Sequence, residues 1–312
     1  MFFKESKYKQ EKIRFIAKCI YCSDKSKEIK MYFTRISSII MLHRIILFLV
    51  CLLLQTFAVK AFQHTATDSA TYFRSFDNTR IHYTSKGNGE PVILVHGFIT
   101  NGNSWLATPL YDSLLKHHFR VITLDLRGNG TSDHPHDSLA YLDDAEAKDI
   151  MALATHLQLG AYRIVGYSRG AIIAARLLVL DKQRVRCGVL GGVGTGFTDP
   201  AWPRRLQFYD ALSGKDVPEL AAMVKNVQAA GLDQRALALM QFGQPATTAA
   251  EFALVQQPVL VIGGDKDEDN DTGGSLAALM PRGMHGTVAG NHTTTLRSPW
   301  FAQWITDFLE KH

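Results

Sequence analysis

Short apolar runs at 91–95, 119–124, 162–165, 185–193 and 258–262 alternate with stretches of helical spacing, and this alternation restricts the fold more than any other feature. The run at 91–95 is apolar throughout rather than at every second residue, as expected of a strand covered on both faces, and the others are similar, interrupted only by Arg120, Thr123, Arg163 and Arg186. The intervening amphipathic stretches are 104–116, 142–157, 168–180, 274–280 and 300–311. Strands joined by helices of this length wind into a parallel sheet with helices on both sides. The expected fold is therefore α/β, a doubly wound, mostly parallel sheet of about eight strands. A hairpin over 73–76 and 80–83, turning at Asp77-Asn78, and a last strand at 286–289 complete it. Residues 197–256 break the alternation with Trp202, Pro203, Phe208, Tyr209, Met223, Met240 and Phe242 in helical surroundings, which suits a small inserted cap.

The first sixty residues read differently. Arg44 precedes a wholly apolar run at 45–54, and Val59 and Ala61 offer small residues at the −3 and −1 positions of a cleavage site. That is the layout of a secretory signal peptide at 41–61, shorter than the roughly twenty residues needed to span a bilayer. Translation from Met31 or Met41 would place it normally, leaving 1–40 as a non-native or disordered extension and 62–312 as the domain. The expected product is secreted or periplasmic, and membrane-anchored if the segment is retained.

The formal charge of +5 does not indicate nucleic acid. Residues 1–40 carry +6 and 41–61 a further +2, so 62–312 holds −3, with no basic footprint for a phosphate backbone. Of four cysteines, Cys19 and Cys22 form a lone C-x-x-C in the extension, Cys51 sits in the signal, and Cys187 lies in an apolar strand. The domain therefore has no internal disulfide available.

Gly166-Tyr167-Ser168-Arg169-Gly170 follows one strand and opens a helix. G-x-S-x-G in that setting is a nucleophile elbow, whose glycines relieve crowding at Gly166 and Gly170 while Ser168 projects above the sheet. A nucleophilic serine needs a base and a carboxylate to orient it, in the chain order Ser, acid, His. Asp267, in Gly263-Gly264-Asp265-Lys266-Asp267, and His292, in Gly290-Asn291-His292, both follow strands, where an open sheet builds its site. Asp265 competes with Asp267, and Asp199 is a remoter acid. His285 precedes the expected last strand and so falls at the wrong end. His96-Gly97-Phe98 leaves another strand. It turns the Phe98 N–H toward Ser168, where the Arg169 N–H makes a second oxyanion donor, and His96 props the turn.

Six segments together resemble the α/β-hydrolase superfamily, in its serine-nucleophile, esterase-like branch. They are P-V-I-L-V-H-G-F at 91–98 with Ser104-Trp105, L-D-L-R-G-N-G-T-S at 124–132, V-G-Y-S-R-G-A at 165–171, P-V-L-V-I-G-G-D-K-D at 258–267 and G-N-H at 290–292. The resemblance implies Ser168 as nucleophile, Asp267 as acid, His292 as base, Phe98 and Arg169 as oxyanion donors, and Asp125 and Arg127 as scaffold. One departure is the acidic loop Glu268-Asp269-Asn270-Asp271, where the family commonly has proline after the acid. It fails as an EF-hand, with Asn270 and Leu276 at the positions that need glycine and glutamate. His134-Pro135-His136-Asp137 reads as a solvated loop.

The expected function is a serine carboxylesterase acting on a small hydrophobic ester without metal or cofactor. Lactone, amide or carbon–carbon hydrolysis and cofactor-free haloperoxidation use the same residues. Serine at the elbow argues against dehalogenase and epoxide-hydrolase chemistry, for which the superfamily places aspartate there. A non-catalytic binding protein on this fold is the reading from another class.

Overall fold

A computed structural model describes residues 71–268, 270 and 273–312, together with Lys12, Arg14, Lys18 and Tyr21. Contacts divide the chain into residues 1–65 and 66–312. In the first unit the four described residues are helical and exposed. The expected signal at 41–61 and most of the extension at 1–40 lie outside the described residues, as do Asp269 and Asp271. Among the described residues no helix is long and apolar enough to cross a membrane.

The second unit begins with a hairpin, β1 (Thr71–Arg74) and β2 (Arg80–Lys86), turning at Asn78, whose φ is 70°. Then follow β3 (Pro91–Val95), α1 (Pro109–Lys116), β4 (Arg120–Leu124), α2 (Ala145–His156), β5 (Tyr162–Tyr167), α3 (Arg169–Leu180) and β6 (Val185–Gly191). Four helices come next: α4 (Pro203–Leu212), α5 (Ala221–Ala229), α6 (Gln234–Phe242) and α7 (Ala249–Phe252). The chain closes with β7 (Val259–Gly264), α8 (Gly274–Ala277), β8 (Gly283–Val288) and α9 (Pro299–Lys311).

The eight strands form one sheet in the order β1-β2-β4-β3-β5-β6-β7-β8. Pairing is antiparallel at β1–β2 and β2–β4 and parallel from β4 to β8. Side chains alternate across the pleat. Ile93, Val95, Ile122, Leu124, Ile164 and Leu190 pack in one apolar layer with Ile150 and Leu153 of α2 and Ile172 and Leu177 of α3. Val92, Leu94, Val121, Val165 and Val189 pack in the other with Leu110 and Leu114 of α1 and Phe301, Ile305 and Leu309 of α9. Both faces are covered, which is why these runs are predominantly apolar on both sides of the pleat.

Several boundaries differ from the sequence reading. The hairpin strands run over Thr71–Arg74 and Arg80–Lys86 rather than 73–76 and 80–83, and the helix expected over 274–280 ends at Ala277. The helix expected over 104–116 splits into a 3-10 turn at Gly102–Trp105 and α1, because Thr108 accepts the Tyr111 N–H and Pro109 starts a fresh helix. The last strand starts at Gly283, three residues early, so His285 lies inside β8, opposite Val261, and not before it. β8 is the sheet edge with its first residues exposed, so it lacks the apolar run that marks an inner strand.

Loops around β4 are fixed by buried charge. Asp125 accepts the Gly102 and Thr131 N–H groups, both at 2.8 Å. Arg127 is fully buried and bonds Asp149 through Nε at 2.7 Å and Nη2 at 2.6 Å, while its Nη1 reaches Asp77 at 2.8 Å. His134 and His136 both approach Asp233 Oδ2, at 3.6 and 2.8 Å. Cys187 is buried in β6, and desolvation pushes its thiol up to about 12.

Candidate active site

β5 ends and α3 begins on either side of Ser168, which stands alone between them with φ 54° and ψ −122°. A positive φ is strained for a residue with a Cβ and persists only where the surroundings impose it. Here packing does so. A Cβ on Gly166 would lie 2.1 Å from the Gly170 carbonyl oxygen, and one on Gly170 would lie 2.1 Å from that of Val95. Glycine at both positions lets α3 start against the end of β3, and the turn between them has no slack.

Ser168, His292 and Asp267 come together from three separate loops. His292 Nε2 is 3.0 Å from Ser168 Oγ, and His292 Nδ1 is 2.7 Å from Asp267 Oδ2. A carboxylate accepts the Nδ1 proton, so Nε2 is free to accept from the serine hydroxyl. Asp267 is buried just beyond β7. Asp265 is exposed and accepts the Gly290 N–H at 2.9 Å, tying its loop to that of the histidine. Asp199, also exposed, accepts the Ala201 N–H at 2.8 Å. Of these three acids, Asp267 is the one bonded to the imidazole.

Two further groups brace this row, and the sequence alone does not single them out for that task. Asn270 Nδ2 donates to Asp267 Oδ1 at 2.9 Å, filling the carboxylate oxygen that His292 leaves open. Tyr167 Oη donates to the His292 backbone carbonyl at 2.7 Å. An amide beside an acid is visible within the loop, but only folding back toward His292 gives it a partner.

The turn after β3 lies against the serine: a Cβ on Gly97 would stand 3.5 Å from Ser168 Cβ. Among the described residues no acceptor meets the N–H of Phe98 or of Arg169. The latter opens α3, where unpaired N–H groups and the helix dipole favour negative charge. The Arg169 side chain turns inward, bonding Glu146 of α2, Gln244 at 3.0 Å and the Met240 carbonyl at 2.7 Å. Sequence reasoning gives this residue a backbone role alone.

His96 is 1% exposed and props the turn. Its Nε2 accepts the Leu126 N–H at 3.0 Å, so the proton sits on Nδ1 and is donated to the Gly97 carbonyl at 2.7 Å. Burial holds its pKa down at about 4, against an ordinary 6.5. The unfolded chain therefore binds a proton between those values that the folded chain refuses, and stability falls as pH drops. This residue alone is expected to cost about 3 kcal/mol between pH 6.5 and pH 4. Urea midpoints followed across that interval check it: a smaller fall in His96→Gln supports the assignment, and an identical fall refutes it.

Above Ser168 opens a cavity of about 560 Å³. Its apolar wall includes Phe98, Ile172, Val193, Trp202, Phe208 and Leu296. The Phe98 and Phe208 rings meet edge to face at 5.8 Å, so α4 packs against the turn that follows β3. No three or more His, Cys, Asp or Glu among the described residues are grouped to hold a metal ion.

Residues 90–230 match the family model for the alpha/beta hydrolase fold. The chain is 33% identical over 122 residues to (E)-2-((N-methylformamido)methylene)succinate hydrolase of Acinetobacter baylyi, covering 38% of this chain and 43% of that protein. It is 35% identical over 123 residues to haloalkane dehalogenase 2 of Mycobacterium tuberculosis, covering 38% and 41%. The chain thus spans less than half the length of these curated relatives. An esterase from Thermogutta terrifontis superposes with a TM-score of 0.65 at 20% identity, covering 78% of this chain and 98% of that one. Over residues 90–230 the chain is similar to the alpha/beta hydrolase family, and its sheet and helices share the fold of the solved esterase.

Proposed function

We propose that this protein is a serine hydrolase that cleaves a small carboxylic ester with a hydrophobic group, through an acyl-enzyme on Ser168. The observation that carries this reading is the unbroken row Asp267–His292–Ser168, with bonds of 2.7 and 3.0 Å, at the floor of a largely apolar cavity. In the proposed reaction Ser168 Oγ attacks the ester carbonyl while its proton passes to His292 Nε2, and Asp267 stabilises the resulting imidazolium. The Phe98 and Arg169 N–H groups receive the oxyanion. Collapse breaks the bond to the alkoxide, which takes the proton from His292. Water, deprotonated by the same imidazole, then releases the acid and restores the serine.

Serine at position 168 favours acyl transfer over dehalogenation despite the dehalogenase relative, because a hydroxyl makes an acyl intermediate that water attacks at its carbonyl. The apolar run at 45–54 with its small-residue exit supports export of the domain at 62–312. A fluorophosphonate probe tests the nucleophile, since it reacts only with an activated serine. Mass mapping of the adduct to Ser168 is expected, with 4-nitrophenyl esters turned over in parallel. An intact protein that takes no label and hydrolyses no ester moves the assignment to a binding protein on this fold.

A further inference from the structure

The cavity wall is cationic although the domain at 62–312 carries a net −3. Arg169, Arg204, Arg205 and Arg297 line it, and no Asp or Glu does so among the described residues. These arginines are not equivalent. Arg169 is committed to Glu146, and Arg204 lies over the Phe208 ring at 5.5 Å. Arg205 has no carboxylate partner among the described residues. Its Nη1 makes long bonds of 3.4 Å to the Phe242 and Gln244 carbonyls, and its Nε is buried with no partner among them.

A guanidinium left this way is costly, because it has lost water without gaining an anion. Burial and the neighbouring Arg169 cation both hold its pKa below the usual arginine value. Position supports a ligand role. Arg205 and Phe208 are three residues apart on α4 and so share a helix face. Phe208 touches Phe98, which places Arg205 about one helical turn from the residue that packs on the turn after β3. Gln241, 5% exposed and on the same wall, adds a side-chain amide with no hydrogen bond to the described residues.

We propose that the substrate bears a carboxylate remote from the scissile bond, and that Arg205 receives it. This rests on the serine-hydrolase reading for the reaction but not for the binding. The rest of the wall is more apolar than polar, so the expected substrate is an acid ester: an apolar chain with an ester at the Ser168 end and an anion at the Arg205 end. Guanidinium matches a planar carboxylate with paired donors, which an ammonium cannot reproduce.

Two measurements test this. The first compares kcat/KM for mono-4-nitrophenyl glutarate and 4-nitrophenyl pentanoate, matched in length and differing in the terminal carboxylate. Arg205→Gln is expected to lower the ratio, anionic over neutral, by about 10- to 100-fold, mostly through KM, as for loss of a charge-assisted hydrogen bond. Arg205→Lys restores part of that ratio. An unchanged ratio, with both esters slowed equally, overturns the proposal and leaves a structural residue. The second titrates glutarate into Ser168→Ala protein by calorimetry, alone and combined with Arg205→Gln. Binding that weakens by about the same factor supports the site even if no ester is turned over, in which case the hydrolase reading fails alone. Absent or equal binding in both proteins refutes the site whether or not Ser168 takes the fluorophosphonate.

Discussion

Ser168→Ala is expected to lower kcat for ester hydrolysis by about six powers of ten. His292 Nε2 lies 3.0 Å from Ser168 Oγ, and removing that oxygen leaves the imidazole with nothing to deprotonate but water. What survives is binding and the two oxyanion donors, which act on whatever attacks the carbonyl. Alanine carries the same Cβ into the φ of 54°, so the strain of the turn is unchanged and the fold is retained. Initial rates at saturating ester, with circular dichroism as a folding control, measure the loss. A fall of less than about tenfold would place the nucleophile elsewhere.

Asp267→Asn is expected to cost about four powers of ten in kcat. The amide that replaces the carboxylate presents a donor to His292 Nδ1, which turns the imidazole to the tautomer with its proton on Nε2. That nitrogen then faces Ser168 Oγ as a donor and accepts nothing from it. Asn270 Nδ2, which donates to Asp267 Oδ1 at 2.9 Å, would hold the remaining oxygen of the asparagine and so keep its NH2 turned toward His292. Asp265→Asn provides the contrast. Its carboxylate accepts the Gly290 N–H on an exposed loop, and the asparagine oxygen can still do so, leaving kcat within about threefold. Equal losses in the two variants would show a general effect of charge in this loop, and the reverse order would make Asp265 the acid.

These variants also mark where sequence stops being informative. The inner strands are legible because β3, β5 and β7 are buried on both faces, and a short run stays apolar at every position only where neither face meets water. The elbow is legible because the clashes that exclude a Cβ at Gly166 and Gly170 involve residues of the same short segment and of β3, whose motif is also local. β8 reads three residues short because an edge strand packs on fewer neighbours and Gly283-Met284-His285 has no apolar signature. Asp265 competes with Asp267 in the sequence, where both lie just beyond a strand and the preference for Asp267 comes from the family resemblance. Only the course of the loop, which sends one to Gly290 and buries the other under His292, separates them. Arg205 gives no sequence signal at all: in a helical stretch rich in arginine an unpaired guanidinium looks like a paired one, and the difference lies in what packs around it.

Arg169 joins two parts of the molecule that are usually thought of as exchangeable. Its N–H opens α3 beside the serine, and its guanidinium grips Glu146 on one side and Met240 and Gln244 on the other. The helices between β6 and β7 are therefore not a detachable lid over an independent engine. A chimera that grafts the corresponding helices of a protein of similar fold onto this sheet would strand a buried Arg169–Glu146 pair without its remaining acceptors, at the first residue after Ser168. Chamber and engine must be inherited together. In laboratory evolution, changes of selectivity should accumulate by point substitution on the cavity wall, at positions such as Arg205 and Phe208, sooner than by swapping the segment whole.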